Sequence, residues 1–344
     1  MRALVIHKAL DLRLEERTIA ALGPKDVEVA IRRGGICGSD LHYWKHGGFG
    51  VVHLKEPMIL GHEVAGEVVA VGGAVKRVKP GDRIAVNPSR PCEQCAYCSR
   101  GLQNQCLDMR FYGSAMRMPH VQGAFVERLV AEERQCVPVA PGVSLEEAAM
   151  AEPFAVTLHG VARAGELLNK RALVTGCGPI GTLAIIALRT HGIRDIVATD
   201  ISEHTLALAR QVGADASVNM ATSAAEFDRF TADKGFFDIQ IEASGAEAAL
   251  RDGLRALKPR GTLIQLGLGG DIAVPQNTIV AKEIEVRGSF RFHEEFDLAV
   301  DMISRKRVDL KPLLTDVLPL DRAGEAFALA SDRGKAMKVQ LAFG

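Results

Sequence analysis

A glycine pattern at the start of a helix constrains the fold of this chain more than any other feature of its sequence. The apolar run Arg171–Thr175 reads as a strand and leads directly into Gly176-Cys177-Gly178-Pro179-Ile180-Gly181, which opens a helical segment. In G-x-G-x-x-G the first glycine permits a tight turn, the second lets backbone N–H groups approach a pyrophosphate, and the third allows close helix–strand packing. The helix N-terminus adds partial positive charge. We therefore expect a dinucleotide here, in contact with Gly176, Gly178, Pro179, Ile180 and Gly181.

One acidic residue indicates which dinucleotide binds. Asp200 ends the next apolar strand, where a carboxylate binds the adenosine ribose hydroxyls and repels a 2′-phosphate. NAD is therefore predicted, with NADP possible. Ala243 and Leu266 follow two later strands, at the edge where the cofactor lies in a doubly wound sheet. Simple turn chemistry at the neighbouring glycines explains these two positions equally well.

The chain shows two textures. Residues 1 to about 150 carry short β-type runs between Gly- and Pro-rich turns, which favours a mostly antiparallel β domain. From about residue 170 apolar strands alternate with helical segments, which indicates βαβ units and a parallel, doubly wound sheet. A length of 344 residues also favours two domains. Periodicity does not show whether the β-like tail at 338–343 rejoins the first domain.

The charge balance and apolar runs exclude several classes of partner. Forty-two basic and 42 acidic residues cancel, so neither nucleic acid nor a membrane surface is an expected partner. The apolar run at the N-terminus is too short for a signal sequence, and the run at 183–188 is far too short for a membrane span. We expect a cytoplasmic protein whose seven cysteines stay reduced and act as ligands or core residues.

Four of these cysteines form a compact motif, Cys92-x2-Cys95-x2-Cys98-x7-Cys106. Cysteines at this spacing are typical of tetrahedral zinc, and four thiolates close the coordination shell, so the ion should be structural. An iron–sulfur cluster and redox thiols are the alternatives. A ferredoxin run more typically has three residues and a proline at its last cysteine. Cys136 and Cys177 are expected to be packing residues.

A second set of metal-binding residue types is spread along the chain. Cys37 lies in a glycine-rich segment, His62-Glu63 follows Gly61, and Glu152 precedes a proline. Each residue alone has an ordinary explanation, such as a buried cysteine or a solvated glutamate. Together they supply the thiolate, imidazole and carboxylate expected of a catalytic zinc with one open position.

With these motifs the chain resembles zinc-containing medium-chain alcohol/polyol dehydrogenases over essentially its whole length. The signature G-H-E-x2-G-x5-G is present, with its later glycines at Gly66 and Gly72, and the cysteine lobe and glycine loop follow in the family's order. The resemblance implies an α/β fold: a GroES-like, mostly-β catalytic domain of residues 1–150 and 292–344, and a Rossmann nucleotide-binding domain of residues 151–291. It also implies two zinc ions per chain and a homotetramer or homodimer.

The resemblance implies roles for individual residues. Cys37 and His62 would bind the catalytic zinc with Glu63 or Glu152, a choice that stays open. Ser39 and His42 match the family's proton-relay positions. Substrate contacts and further cofactor contacts are implied for residues around these sites: Tyr43, Glu152 and Arg291 for the substrate, and Phe290 and Arg291 for the cofactor.

Local motifs suggest a substrate class. Residues 37–44 and Glu152-Pro153 resemble the sorbitol (polyol) dehydrogenase branch, and residues 288–292 and 338–341 resemble L-idonate 5-dehydrogenases. The resemblance implies NAD-linked oxidation of a secondary hydroxyl of a sugar acid, L-idonate to 5-dehydro-D-gluconate, or of a polyol such as sorbitol or xylitol. L-Threonine dehydrogenase is a more distant alternative. A sugar acid also needs a cation for its carboxylate, and the candidates are Arg291, Lys45 and Arg110.

A non-catalytic NAD-binding protein is the alternative of a different class. Such a protein would keep the glycine loop and lose the metal residues. The presence of Cys37, His62, Glu63 and Glu152 argues against it.

Overall fold

The chain folds into two units, and the first is built from three separate stretches of sequence. The computed structural model describes residues 1–344. The first unit comprises Met1–Glu152, Phe296–Asp332 and Lys338–Gly344, and the second comprises Pro153–Glu295 and Arg333–Met337. None of the helices is both long enough and apolar enough to cross a bilayer.

The first 150 residues contain many short strands and few helices. The strands are β1 (Arg2–Lys8), β2 (Asp11–Glu16), β3 (Asp26–Gly35), β4 (Gly48–Phe49), β5 (Val52–His53), β6 (Met58–Ile59), β7 (Glu63–Val71), β8 (Arg83–Val86), β9 (Ser89–Arg90), β10 (Arg110–Phe111), β11 (Arg128–Glu132) and β12 (Cys136–Pro138). The α-helices are α1 (Gly38–His46) and α2 (Leu145–Ala149), and 3-10 turns cover Cys98–Arg100, Gln103–Gln105 and Glu133–Gln135.

The following residues alternate helices with strands. In chain order the elements are α3 (Ala151–Ala162), β13 (Arg171–Thr175), α4 (Pro179–Thr190), β14 (Asp195–Asp200), α5 (Glu203–Gln211), β15 (Ala216–Asn219), β16 (Phe237–Glu242), α6 (Glu247–Ala256), β17 (Leu257–Gln265), α7 (Gln276–Lys282) and β18 (Glu285–Gly288), with 3-10 turns at Ala224–Phe230 and Ala232–Lys234. The six strands are parallel in the order β15-β14-β13-β16-β17-β18. The order reverses beside β13, and ligands bind open parallel sheets at such a switch point.

One strand of this sheet differs from its predicted limits. The apolar run at residues 261–266 predicts a strand, and β17 begins four residues before that run, at Leu257. Leu257 already pairs with Phe237, and a register shift follows before pairing resumes at Thr262. Pro259 and Gly261 lie in this irregular segment. Both residue types are common where strand pairing is interrupted, and they are also common in turns.

The last elements complete the sheet of the first unit. They are α8 (Glu295–Ser304), β19 (Leu314–Pro319), α9 (Ala323–Ala330) and β20 (Lys338–Ala342), with 3-10 turns at Lys311–Leu313 and Leu320–Arg322. β20 pairs antiparallel with β3 and parallel with β19. The seven-stranded sheet has the order β12-β8-β7-β3-β20-β19, with β11 also beside β3. The tail that periodicity could not place therefore lies in the first unit, next to a central strand.

Apolar side chains bury the inner faces of both sheets. In β3 the alternating residues Val27, Val29 and Ile31 are almost fully buried. In the second unit Leu173 and Phe237 belong to one buried apolar cluster. Burial of such a side chain stabilises the fold by roughly 1.5–3 kcal/mol. The strands are therefore rigid supports for the residues at their ends.

Candidate active site and metal centres

Three predicted metal ligands converge in the first unit. Cys37 is the residue immediately before α1, His62 directly precedes β7, and Glu63 is the first residue of β7. One ligand atom from each lies within 4.8 Å of the other two. A thiolate, an imidazole and a carboxylate form a donor set that suits zinc with one open coordination position. The arrangement therefore fits a catalytic zinc ion.

The buried negative charge at this site also fits a divalent cation. Glu152 in α3 is 5% exposed, and burial together with the charges of Glu63 and Cys37 raises its pKa to about 8. Burial and the charge of Glu63 raise the pKa of the Cys37 thiol to about 12. A bound metal ion reverses such shifts, because it favours the deprotonated ligand. Glu152 is not among the three convergent residues, so its role as an alternative ligand stays a prediction.

Asp40 organises the centre, although the sequence analysis did not select it. Its carboxylate accepts hydrogen bonds from the N–H of Cys37 at 3.0 Å and from the N–H of Gly61 at 3.2 Å. It also lies 3.8 Å from Nδ1 of His62. At this distance the carboxylate and the ring interact electrostatically, and Nδ1 of His62 accepts or donates no hydrogen bond within the protein. An acid three residues after the residue that caps a helix is a recognisable capping pattern, and it was the available sequence evidence.

The predicted proton-relay residues lie on α1. Ser39 is half-buried and lies two residues after Cys37. His42 is exposed, and its ring lies 5.7 Å from the ring of Phe49 between centroids. Residues three apart on a helix are neighbours, so Ser39 and His42 share one face. This placement suits a path from the metal centre towards solvent.

Tyr43 has a different environment from the relay residues. It is 2% exposed, and its hydroxyl accepts a hydrogen bond from the N–H of Ala115 at 3.0 Å. The hydroxyl therefore holds the backbone near residue 115 in place. Its predicted contact with the substrate stays a prediction.

The candidate cations for a substrate carboxylate lie in different places. In β10 the buried Phe111 places its ring 5.5 Å from the ring of His62, and successive side chains of a strand point to opposite faces. Arg110 is exposed and is therefore directed away from the centre. Lys45 is exposed near the end of α1. Arg291 belongs to the second unit, where its guanidinium lies 4.9 Å from the centre of the Phe290 ring.

The four cysteines of the compact motif form a separate metal centre. The sulfur of Cys95 lies 3.6 Å from that of Cys98 and 4.0 Å from that of Cys106. Zinc–sulfur bonds of about 2.3 Å in a tetrahedron separate the sulfurs by about 3.8 Å. Backbone N–H groups donate to the sulfurs of Cys95 and Cys106, and such bonds lower the pKa of the Cys95 thiol to about 6. All seven cysteines are free of disulfides. The lobe therefore fits a closed four-thiolate zinc site.

The glycine loop has the geometry that its sequence predicts. Gly176 has φ +84°, and a Cβ there would approach the Ser244 side chain to 2.7 Å. Gly178 caps α4, and Pro179 is its first residue. A Cβ on Gly181 would collide with the carbonyl oxygen of Gly176. Only glycine fits at Gly176 and Gly181, whereas a Cβ on Gly178 would meet no clash.

Asp200 ends β14 beside this loop. Its carboxylate accepts hydrogen bonds from the N–H groups of Cys177 at 2.6 Å, Ile201 at 2.7 Å and Ser202 at 2.9 Å. These bonds fix the carboxylate next to the glycine loop. Cys177 is fully buried, in agreement with a packing role.

Glu242 is a second organising residue that the sequence analysis missed. It is fully buried at the end of β16 and accepts hydrogen bonds from the N–H groups of Ser244 and Gly245 and from the side-chain amide of Gln265 at 2.6 Å. It thereby holds the two loops that carry Ala243 and Leu266. A charged residue at the end of an apolar strand was the sequence evidence for it.

Comparisons with known proteins identify the class of this chain. Residues 23–141 match the alcohol dehydrogenase GroES-like domain family, and residues 179–305 match the zinc-binding dehydrogenase family. The chain belongs to the zinc-binding dehydrogenases, which are oxidoreductases.

Particular relatives narrow the resemblance. The chain is 43% identical to L-idonate 5-dehydrogenase (NAD(P)(+)) of Escherichia coli strain K12, over 92% of this chain and 91% of that protein. It is 35% identical to sorbitol dehydrogenase of Gallus gallus, over 98% and 95%. The crystal structure of the Escherichia coli L-idonate 5-dehydrogenase superposes with a TM-score of 0.96 at 40% identity, over 99% of this chain and 98% of that one.

These matches confirm the predicted fold class, the zinc-binding family and the dehydrogenase class. The roles of individual residues stay predictions.

Proposed function

We propose that this chain oxidises a secondary hydroxyl group of a sugar acid and transfers the hydride to NAD. L-Idonate is the first candidate substrate, with 5-dehydro-D-gluconate as its product. The observation that carries this proposal is the convergence of Cys37, His62 and Glu63 in a chain that is 43% identical to L-idonate 5-dehydrogenase.

The two metal centres have different proposed roles, one catalytic and one structural. Cys37, His62 and Glu63, with Glu152 as the alternative carboxylate, would hold a catalytic zinc, and the four-cysteine lobe would hold a structural one. A zinc ion at the catalytic centre supplies a Lewis acid that lowers the pKa of the substrate hydroxyl. Ser39 accepts the hydroxyl proton, and His42 passes it to solvent. Asp40 would hold the backbone at Cys37 and Gly61 in place through the hydrogen bonds that their N–H groups donate to it.

The second unit would bind the dinucleotide. The backbone around Gly178 and the N-terminus of α4 attract the pyrophosphate, and the carboxylate of Asp200 accepts hydrogen bonds from the adenosine ribose. NAD supplies the hydride acceptor. Further contacts are proposed for the residues that follow the later strands: Ala243, Leu266, Phe290 and Arg291. The charge of Asp200 disfavours NADP without excluding it.

A polyol of the sorbitol type is the second candidate substrate. Two observations favour it: the 35% identity to sorbitol dehydrogenase, and the outward direction of Arg110, which leaves the first unit with fewer cations for a carboxylate. L-Threonine is a more distant candidate, because L-threonine dehydrogenases resemble this chain only in their zinc-binding residues.

A homotetramer or homodimer in the cytoplasm completes the proposal. β18 is the edge strand of the six-stranded sheet, and Val286 within it is 51% exposed. An exposed edge strand favours pairing with a second copy. The free cysteines suit a reducing compartment.

A substrate panel tests the proposal. Zinc-replete protein is assayed with L-idonate, D-gluconate, sorbitol, xylitol and L-threonine, each with NAD and with NADP. We expect the highest kcat/KM with L-idonate and NAD. Strong turnover of sorbitol without turnover of L-idonate would overturn the sugar-acid assignment. Tight NAD binding without reduction by any substrate would favour a non-catalytic protein.

A further inference from the structure

A buried lysine lies beside the catalytic metal centre. Lys338 is the first residue of β20 and is 2% exposed, and Glu63 is 1% exposed. The ammonium group of Lys338 pairs with Oε2 of Glu63. It also donates a hydrogen bond to the carbonyl oxygen of Ile36 at 3.2 Å, next to Cys37. Lysine is almost never buried to this extent unless it is paired.

The backbone makes room for this pair. Gly35 ends β3 opposite Glu63, because β3 and β7 pair at these two residues. A Cβ on Gly35 would collide with Oε2 of Glu63 and would approach Cε of Lys338 to 3.1 Å. Any side chain at this position would displace the carboxylate or the ammonium group. The absence of a side chain at residue 35 therefore serves the Glu63–Lys338 pair.

The Glu63–Lys338 pair places a positive charge beside the proposed metal ligands. The ammonium group of Lys338 contacts the carboxylate of Glu63, which the proposed zinc ion would also attract. The carboxylate of Glu63 would then bind two cations, the ammonium group of Lys338 and the proposed zinc ion.

We propose that Lys338 is a positioning residue of the metal centre: it binds one carboxylate oxygen of Glu63 and leaves only the other oxygen for zinc. Glu63 then binds the metal through a single oxygen and weakly enough to keep a coordination position open for substrate. This inference rests on the proposed zinc chemistry.

The experiment uses protein with zinc in the four-cysteine lobe and Co²⁺ in the catalytic centre. The absorption spectrum of Co²⁺ reports its coordination number, since its d–d bands weaken when a fifth ligand atom binds. In Lys338→Met both oxygens of Glu63 become available, so we expect weaker d–d bands than in the unsubstituted protein. We also expect zinc release to a chelator to slow by about tenfold, the lower end of the effect of residues that contact metal ligands. An unchanged spectrum in a folded Lys338→Met protein would overturn the proposal.

A double variant keeps the test valid if Lys338→Met does not fold. Glu63→Gln removes the partner charge, and Glu63→Gln with Lys338→Met removes both charges, which is far less costly than leaving one buried ion unpaired. Because Lys338 acts through Glu63, we expect these two proteins to share one Co²⁺ spectrum. A further spectral change caused by Lys338→Met in the Glu63→Gln background would show that the lysine acts otherwise and would overturn the proposal.

A matched lysine variant tests whether the spectral change is specific to Lys338. Assays of the unsubstituted protein test the proposed function separately. Lys258→Met removes a lysine whose Nζ lies 2.7 Å from the carboxylate of Asp238, in the second unit. This variant should keep the spectrum of the unsubstituted protein. A spectral change in the control equal to that in Lys338→Met would contradict a specific role for Lys338. The metal content and substrate turnover of the unsubstituted protein test the proposed function separately.

Discussion

The two metal centres of the first unit differ in how much of the chain is needed to build them. The four cysteines of the lobe lie within 15 consecutive residues, and Cys92 and Cys95 are half-buried. The catalytic centre combines Cys37 with the start of β7 and with Lys338 of β20, and its carboxylates are buried. The lobe offers a metal ion four like ligands. The proposed catalytic centre offers a thiol, an imidazole and a carboxylate that also pairs with a buried lysine.

The largest expected effect is a loss of enzyme activity when a ligand of the catalytic centre, and not of the lobe, is removed. Cys37→Ala removes a ligand of the catalytic centre and with it several kcal/mol of transition-state stabilisation. We expect kcat/KM to fall about a thousandfold or more. Metal analysis should show loss of one zinc per chain and retention of the other. Cys136→Ala, which removes a buried cysteine outside both centres, is the control. Full activity in Cys37→Ala would contradict the assignment of this centre.

Loss of a cysteine from the lobe should lower the stability of the protein and leave its kcat nearly unchanged. Cys98→Ala opens the four-thiolate shell, and loss of a structural metal belongs to the changes that cost about 4–5 kcal/mol. We expect Tm, measured by calorimetry, to fall by about 10 °C or more. The kcat of the protein that stays folded at low temperature should be close to that of the unsubstituted chain. A selective loss of kcat without loss of Tm would reverse the roles assigned to the two centres.

The buried Asp40 tests whether the catalytic centre depends on residues that do not bind the metal. Asp40→Asn keeps the size of the side chain and removes its charge. Changes of this kind reduce metal affinity or activity by about 10–100-fold. Zinc affinity, measured by competition with a chelator, should fall, while the lobe keeps its zinc. Unchanged affinity for both ions would show that the contact with His62 has no part in binding.

The smallest expected effect concerns pH. Glu152 in the metal-free protein has a pKa of about 8, above its ordinary 4.5, so the folded state binds the proton more tightly. Its contribution to stability is therefore present below pH 4.5 and is lost as pH rises to about 8. Metal-free Glu152→Gln avoids this loss and should be more stable than the metal-free unsubstituted protein at pH 8.5, by an amount on the order of 2 kcal/mol.

Urea unfolding at pH 5 and pH 8.5 provides the measurement. The difference between the two proteins should shrink at pH 5. Glu146→Gln is the control of opposite sign, because Arg33 contributes to lowering the pKa of Glu146 and its loss should destabilise the protein at pH 8.5. Equal stability of Glu152→Gln and the unsubstituted protein at pH 8.5 would contradict a buried carboxylate at this place.

Local patterns were enough to predict the lobe and the glycine loop. Ligand spacing fixes the geometry of the cysteines, and a strand followed by glycines fixes the loop, since both depend on neighbours in the sequence. The parallel sheet was also predictable, because its strands alternate with helices. The limits of β17 were not, since the pairing of Leu257 with Phe237 depends on a register shift between strands.

The catalytic centre was predictable only in part. The residue types and the family resemblance indicated Cys37 and His62, but neither showed the roles of Asp40 and Lys338 in this centre or that of Glu242 in the second unit. Each of these three acts through a contact that strand pairing creates or that a buried backbone amide requires. Lys338 in particular has no pattern of its own, because its role depends on β20 lying next to β3. Tertiary pairing of this kind cannot be read from periodicity.

The position of β20 in the chain also sets an order of events during synthesis. Residues 1–152 leave the ribosome before β19 and β20 exist. The end of β3, at Arg33, Gly34 and Gly35, then lacks its neighbour on one side, while β11 already pairs with residues 26–30. Zinc could enter the cysteine lobe at that stage, because all four sulfurs are already present. The Glu63–Lys338 pair of the catalytic centre forms only when β20 has been made, after residues 153–295 of the second unit. The nascent chain is thus expected to complete its catalytic centre late, and until then the exposed end of β3 is open to pairing with other strands.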